Sequence, residues 1–501
     1  MARRHLPAAT WSGTTLILAT LAGSVLGGAA LQPARADGLP GGNCCADLEE
    51  RVAELEATTA RKGNRRVSLT ISGQVSRQLM YWDDGAQSDL YSVDNGLNTS
   101  RFRFVGSAKI NPEFSAGFIY EMDLRFGARS LAANQIDDDG FSISGGIVGG
   151  AAFGDGIGGA GDSVLGIRQA NWWVQSTHYG RLTVGRLNTS TSGISTIDLS
   201  NAGVVITSEP GEYQEGFIMR NGLNRLSFTS PTAIGATWAT QCGGPSGGGA
   251  YSTDCNDHGP SRHDAVRYDT PTLWGFTASA SFGENDFYDV ALRYSGEFHG
   301  FRVAAGVGYR WFLDQEPDVP VPLVAPTDRL SDTDRRQWLT SASVMHVPTG
   351  LFVSGAFTQY RFLGDNPREL IAGTFDNRPD IPLWWFDAGI QKNWTGWGAT
   401  TFYGEWGRFD DGTVGLLANT AYPGLGPIGT GTFAATAVVA DSDVTWWGVG
   451  AVQTIDAAAM DLYVAFRHYD ADVTVSGGPA NQIPGGLNDI WFIQTGARIQ
   501  F

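Results

Sequence analysis

After residue 31 the chain contains no long hydrophobic run. A spanning helix needs about 20 consecutive apolar residues, so helical membrane spans are excluded downstream of that point. Histidine is scarce: seven residues, of which His5 lies at the very start. His178, His258, His263, His299, His346 and His468 fall mostly at expected turns or strand ends. No H-E-x-x-H occurs, and no convergent His/Asp/Ser set can be traced, which argues against a hydrolase. Positive charge is also short. There are 34 Lys and Arg against 51 Asp and Glu, a net charge of −17, which argues against nucleic acid as a partner and suits an exported protein. Cysteine is limited to four residues. Cys242 and Cys255 bracket a Gly-rich stretch and can close a local disulfide in an oxidising compartment, worth about 3 kcal/mol in the chain-entropy picture. Cys44 and Cys45 are neighbours and do not readily pair with each other. No Cys or His stands at ligand spacing around either pair, so no metal is expected, and no cofactor is implied. A repeat of fixed period is missing too, which argues against a propeller or solenoid.

The two ends carry the strongest signals. Arg3 and Arg4, the uncharged run Thr14 to Leu31 and the A-x-A-type site Ala34-Arg35-Ala36 read as a signal peptide over residues 1–36, with the mature chain starting near Asp37. Those residues hold three arginines and no acid, so the remainder carries −20. At the other end Trp491, Ile493, Thr495, Ala497, Ile499 and Phe501 fall on one face, opposite Gln494, Gly496, Arg498 and Gln500. That is the period of a strand. An apolar terminal residue is expected where a last strand closes a barrel in a Gram-negative outer membrane. Phe501 should then be a closure and assembly residue at the periplasmic rim, near Val67. Between signal and barrel, residues 37–66 form a periplasmic segment with a short helix: Leu48, Val52 and Leu55 are spaced by four and three, under two heptads.

From Val67 the pattern has period two. Val67, Leu69, Ile71, Val75, Leu79 and Tyr81 alternate with Ser68, Thr70, Ser72, Gln74, Ser76 and Gln78. Phe102, Phe104, Ala108 and Ile110 alternate with Arg101, Arg103, Ser107 and Lys109. Phe114, Ala116, Phe118, Tyr120, Met122, Leu124 and Phe126 oppose Ser115, Glu121, Asp123 and Arg125. An apolar face paired with a strongly charged one fits a transmembrane barrel with lipid outside and water inside. Further hairpins are expected at 168–177 with 181–188, 224–230 with 235–241, 263–270 with 275–283, and 288–297 with 300–311. Later ones are 336–347 with 350–361, 384–393 with 399–408, and 443–455 with 459–469, before the last strand at 490–501. Short turns on one side and long Gly-, Pro- and Asp-rich connections on the other match outer-membrane barrels. The count is eighteen, with sixteen the alternative if 224–230 and 235–241 are not barrel strands. The fold class is thus all-β: a transmembrane antiparallel β-barrel of 16–18 strands around an aqueous channel. Tyr81, Trp82, Trp172, Trp173, Tyr309, Trp311, Trp384, Trp385, Trp446 and Trp447 sit near strand ends and are expected in interfacial girdles.

Segment 189–223 is the expected inward-folded constriction loop. It carries Asp198, Glu209, Glu212 and Glu215 with little basic charge before Arg220. Arg77, Arg101, Arg103, Lys109 and Arg125 are expected to face it from the early strands. Acids on one wall and arginines on the other set a field across a pore. Asp137-Asp138-Asp139-Gly140 reads as a solvated acidic loop, and the run Gly145 to Gly161 lacks the Lys-Ser/Thr of a phosphate loop.

The segment Cys44 to Asn64, followed by Val67-Ser-Leu-Thr-Ile-Ser-Gly-Gln-Val75, resembles the N-terminus of alphaproteobacterial porins of rhizobial type. Tyr179-Gly-Arg-Leu-Thr-Val-Gly-Arg186 is similar to the hairpin before their constriction loop, and Phe301 to Tyr309 and Phe501 also match. The resemblance implies a homotrimeric outer-membrane porin of sixteen strands. Such a protein passes small hydrophilic solutes and ions passively and is bordered by outer-membrane lipid and lipopolysaccharide. A substrate-selective channel, an outer-membrane barrel enzyme and an adhesin are the alternatives. A tract of lumen aromatics would favour the first of these, and none is traced.

Overall fold

The computed structural model describes residues 67–124, 130, 133–136, 142–143, 146–147, 165–208, 213, 216–230, 233–234, 236–238, 262–283, 287–312, 335–362, 379–422, 424–427, 432–434, 437–477 and 482–501. The signal peptide, the 37–66 segment, Cys242, Cys255, Arg125, Glu209, Glu212 and Glu215 lie outside these residues.

Seventeen strands join one antiparallel sheet. They are β1 (Ser68–Asp83), β2 (Ser88–Asp94), β3 (Arg101–Lys109), β4 (Phe114–Leu124), β5 (Leu165–Ser176) and β6 (Gly180–Asn188). β7 (Arg262–Asp269), β8 (Phe276–Gly283), β9 (Phe287–Phe298), β10 (Phe301–Phe312), β11 (Arg335–His346) and β12 (Leu351–Phe362) follow. β13 (Ile381–Lys392), β14 (Thr400–Asp410), β15 (Val438–Ile455), β16 (Met460–Ser476) and β17 (Ile490–Gln500) complete the set. From β3 on, each strand pairs with the next, and β17 pairs back to β1, closing the barrel. β2 and β3 are two halves of one stave: β2 pairs with Arg77–Asp83 and β3 with Ser68–Gln74, both on β1. The barrel therefore has sixteen staves. The two extra strands read at 224–230 and 235–241 are corrected. The pairing there is a separate hairpin of Phe228–Ser230 with Ala233–Ile234, too short to span, and its alternation in sequence is indistinguishable from that of a barrel strand over so few residues. No helix among the described residues is long and apolar enough to cross a membrane; the strands do so.

The outward face is apolar. Ile71, Val75, Leu79, Phe118, Ile167, Val290, Val353 and Val464 are all exposed on it, as lipid contact requires. The expected girdle is half right. Successive side chains on a strand point to opposite faces, so each aromatic doublet splits. Trp172, Trp384 and Trp447 are exposed, whereas their neighbours Trp173, Trp385 and Trp446 turn inward and are buried, as does Trp82 beside Tyr81.

Phe501 closes the barrel, but against Gly73 rather than Val67. Its amide donates to Gly73 O at 3.0 Å and its carbonyl accepts from Gly73 N at 2.9 Å. The strand stagger of a barrel causes the shift: residues 68–74 of β1 are paired with β3, and β17 begins its pairing at Gln74. A Cβ on Gly73 would lie 2.6 Å from both the Phe501 ring and Arg101 O, so the seam closes where only glycine leaves room.

The interior is not uniformly aqueous, which corrects the expectation of an unpacked lumen. A buried apolar cluster joins Met80 and Trp82 of β1 to Trp385, Tyr403, Trp446, Tyr469 and Phe492 of β13–β17. Residues of 202–238 and 418–437 pack against them: Phe217 stacks edge-on to both Trp82 and Phe492, and Trp238 meets Tyr469. No residue of β3–β10 belongs to this cluster. One side of the lumen is filled by inserted segments, and the polar side remains.

Candidate constriction site

Glu121 on β4 is the centre of the polar side. It faces Arg103 across the ladder, and Asp123 faces Arg101. Arg103 Nε donates to Glu121 Oε2 at 2.6 Å, Arg168 Nε donates to Oε1 at 2.8 Å, and Arg101 Nη1 lies 3.6 Å from Oε1. Arg168 reaches this carboxylate because of a β-bulge. Glu121 opposes Gln169 while Met122 opposes Ile167, leaving Arg168 as the extra residue. A bulge re-aims a side chain in this way. Arg262, the first residue of β7, pairs with Asn188 and completes the cluster.

Opposite lies segment 189–208, which follows β6 into the lumen and runs along the inner wall. Thr191 N and Oγ1 both donate to Asp289 Oδ2 at 2.7 Å on β9. Leu199 N donates to Ser343 Oγ at 3.0 Å on β11, and Ser200 O accepts from Gln391 on β13 and Thr401 on β14. Gly306 and Gly308 of β10 leave the space that Thr191, Ile194 and Ile197 occupy: a Cβ at either would fall 2.7 Å from a loop side chain. Farther along, Arg467 Nη2 donates to Thr207 O at 3.2 Å and to Glu405 Oε2 at 2.6 Å, and its guanidinium lies 4.3 Å from the Tyr213 ring. Arg467 and Glu405 are buried together, and a paired, fully hydrogen-bonded charge is the form in which burial is tolerated.

Between the arginine wall and this loop is a cavity of about 290 Å³. Arg101, Arg103, Arg168 and Arg262 line it with two carboxylates, Glu121 and Asp198. Asp198 accepts from Ser200 N at 2.6 Å and from Ser354 Oγ at 3.5 Å. Burial pushes its carboxyl above the usual aspartate value, against those hydrogen bonds.

Of the expected residues, Arg101, Arg103 and Asp198 meet here. Arg77 does not. It shares the outward phase of Val75 and Leu79, is exposed, and donates to Ser92 O at 3.0 Å, so its assignment to the lumen is corrected. Lys109 faces inward on β3 but stands six residues below Arg103, about 20 Å along the strand, and does not line the cavity. Arg168, Arg262 and Glu121 were missed as site residues. Glu121 was visible as an inward charge. Arg168 lies out of phase in sequence, and the bulge that corrects it has no local signature. Among the described residues no group of three or more His, Cys, Asp or Glu is arranged to hold a metal.

The sequence pattern of the Gram-negative porin family matches residues 22–486. The chain belongs to the Gram-negative porins. No curated protein matches it. Among solved structures, this porin is similar to an anion-selective porin from Comamonas acidovorans, at 16% identity and a TM-score of 0.47 over 87% of this chain and 100% of that one. It is similar to OmpT, an outer membrane protein of Vibrio cholerae, at 11% identity and a TM-score of 0.46, covering 88% and 99%. It is also similar to Salmonella typhi OmpF, at 11% identity and a TM-score of 0.44, covering 87% and 98%. The porin resides in the outer membrane and forms a water-filled channel for passive diffusion of small hydrophilic solutes.

Proposed function

We propose that the cavity between β3–β7 and segment 189–208 is the constriction of this channel and that it prefers small anions. The supporting observation is the set of four arginines against two carboxylates around the cavity. Charge rings of this kind set ion preference in pores. Glu121 neutralises part of the wall and fixes the guanidinium groups of Arg101, Arg103 and Arg168 around one carboxylate. Solutes move down their gradient, and polar ones are oriented by the field between the arginines and Asp198. Replacing Arg103 and Arg168 by Gln should move the reversal potential in a KCl gradient toward that of potassium, and an unmoved potential would sink the assignment.

The inward aromatics do not form a solute-binding tract in this reading, because Trp82, Trp385, Trp446 and Phe492 are buried beneath inserted segments. That favours general diffusion over a sugar-selective channel. Residues 1–36 act as the signal peptide, a reading that N-terminal sequencing of the mature protein checks by starting at Asp37. The homotrimer, the lipid and lipopolysaccharide surroundings and the rhizobial lineage rest on the N-terminal motif Cys44–Asn64 and its resemblance to that group.

A further inference from the structure

β1 meets two successive partners along one edge, and the six residues between them, 95–100, leave the sheet. They are firmly held. Asn95, Thr99 and Ser100 are buried. Asp94 accepts from Ser100 N at 3.0 Å and Ser100 Oγ at 2.6 Å, and Ser100 Oγ accepts from Ser76 N at 3.0 Å. Gln74 Nε2 donates to the carbonyls of Asn98 and Thr99.

This knuckle presents two amides to the far end of the constriction loop. Asn98 Nδ2 donates to Gly203 O at 2.7 Å, and Asn95 Nδ2 donates to Val204 O at 3.0 Å. Their orientations are fixed from behind. Arg498 Nη1 donates to Asn98 Oδ1 at 3.1 Å, and Asn98 N donates to Asn95 Oδ1 at 3.0 Å. With each oxygen occupied as an acceptor, each NH2 must point to the loop. Arg498 is itself held by Asp461, with Nη2 donating at 2.6 Å, and Tyr463 OH accepts a second bond from Asn95 at 3.0 Å. Leu97, between the two asparagines, lines the cavity together with Gly203.

We propose that residues 95–100 are a latch that holds the end of the constriction loop and so sets the width and charge of the pore, with Asn95 and Asn98 as its positioning residues. This rests on reading 189–208 as the constriction. The loop reaches the wall of β8–β14 through its own contacts, but carbonyls 203 and 204 are fixed in space by the two asparagines. Interrupting a barrel stave sacrifices ladder hydrogen bonds, and the gain is a rigid amide pair at the pore rim instead of a continuous strand.

The test is single-channel recording of the full-length protein carrying Asn95→Ala with Asn98→Ala, and of Asn98→Asp alone. The aspartate keeps the size and the Arg498 contact but removes the donor to Gly203, so it serves if the double variant does not assemble. Expected are higher single-channel conductance and a reversal potential shifted toward zero, with the barrel's heat resistance unchanged. Parental conductance and reversal potential in an assembled Asn98→Asp channel would overturn the latch. The Arg103/Arg168 variant separates the two readings. If it shifts the potential while the latch variants do not, the latch alone fails; if it does not shift either, the constriction reading fails with it.

Discussion

Glu121 gathers three guanidinium groups in a buried position. Its replacement by Gln should strengthen chloride preference, because the wall loses its neutralising charge. It should also lower barrel stability by about 1.5–3 kcal/mol, the scale of hydrogen bonds to a charged group, because Arg101, Arg103 and Arg168 are partly exposed and stay solvated when the carboxylate is lost. Reversal potential and the temperature at which the barrel loses its compact electrophoretic form check the two effects. Arg77 is the control. It lies on the outward face, so Arg77→Ala should leave the reversal potential at the parental value. Asp198 adds a pH dependence. Its carboxyl titrates above the ordinary aspartate value of 3.8 because it is buried. The docked loop therefore binds this proton more tightly than an exposed aspartate does. The contribution to docking is fully present below 3.8 and is lost as pH rises through the raised value. Protonation also removes a negative charge from the cavity. Anion preference should rise on acidification, with a midpoint above 3.8, and Asp198→Asn should flatten the curve. Alternation in the sequence turned Arg101 and Arg103 inward, where both line the cavity. It could not place Arg168, because one bulge residue inverts the phase, and its own phase at Arg77 matched the apolar neighbours rather than the lumen.

Among the elements, the hairpins were the most legible part of the chain. Period-two segments and short turns such as His299-Gly300, between the directly paired Phe298 and Phe301, mark them without tertiary information. The broken second stave was not legible: residues 88–94 carry no clean alternation, and only the pairing of both β2 and β3 with β1 reveals one stave. Register was also hidden, because the stagger of a closed barrel is a property of the whole ring. The seam should be sensitive at Gly73. Gly73→Leu would push against the Phe501 ring and the Arg101 backbone and should reduce the yield of assembled protein; deletion of Phe501 should also reduce yield but leave the conductance of whatever assembles unchanged. Loop anchoring has a comparable weak point. Arg467→Met strands the buried Glu405 and should destabilise by about 3–5 kcal/mol, whereas replacing both partners with apolar residues of similar size should recover most of the loss. Thermal denaturation of the two variants distinguishes these outcomes.

At the scale of the molecule, the outer surface follows from composition and alternation, whereas the interior does not. Inward residues of β12–β17 include Trp385, Tyr403, Trp446, Tyr469 and Phe492, and alternation turns them away from lipid without revealing what covers them inside. Their burial depends on Val204, Phe217, Trp238, Tyr422 and Phe433 packing onto them from outside the strands, a long-range event with no local periodicity. The interior is thus two-sided: an apolar packing on one side, and on the other a cavity between the arginine wall of β3–β7 and segment 189–208. The acidic net charge of the chain leaves the local sign of the pore open, because the cavity gathers four arginines while acids dominate elsewhere. The most direct test is the zero-current potential of the purified protein in a planar bilayer across a KCl gradient. Stepwise channel openings with a potential displaced toward the chloride equilibrium value are the predicted result. A potential displaced toward that of potassium, or no stepwise conductance, would contradict it.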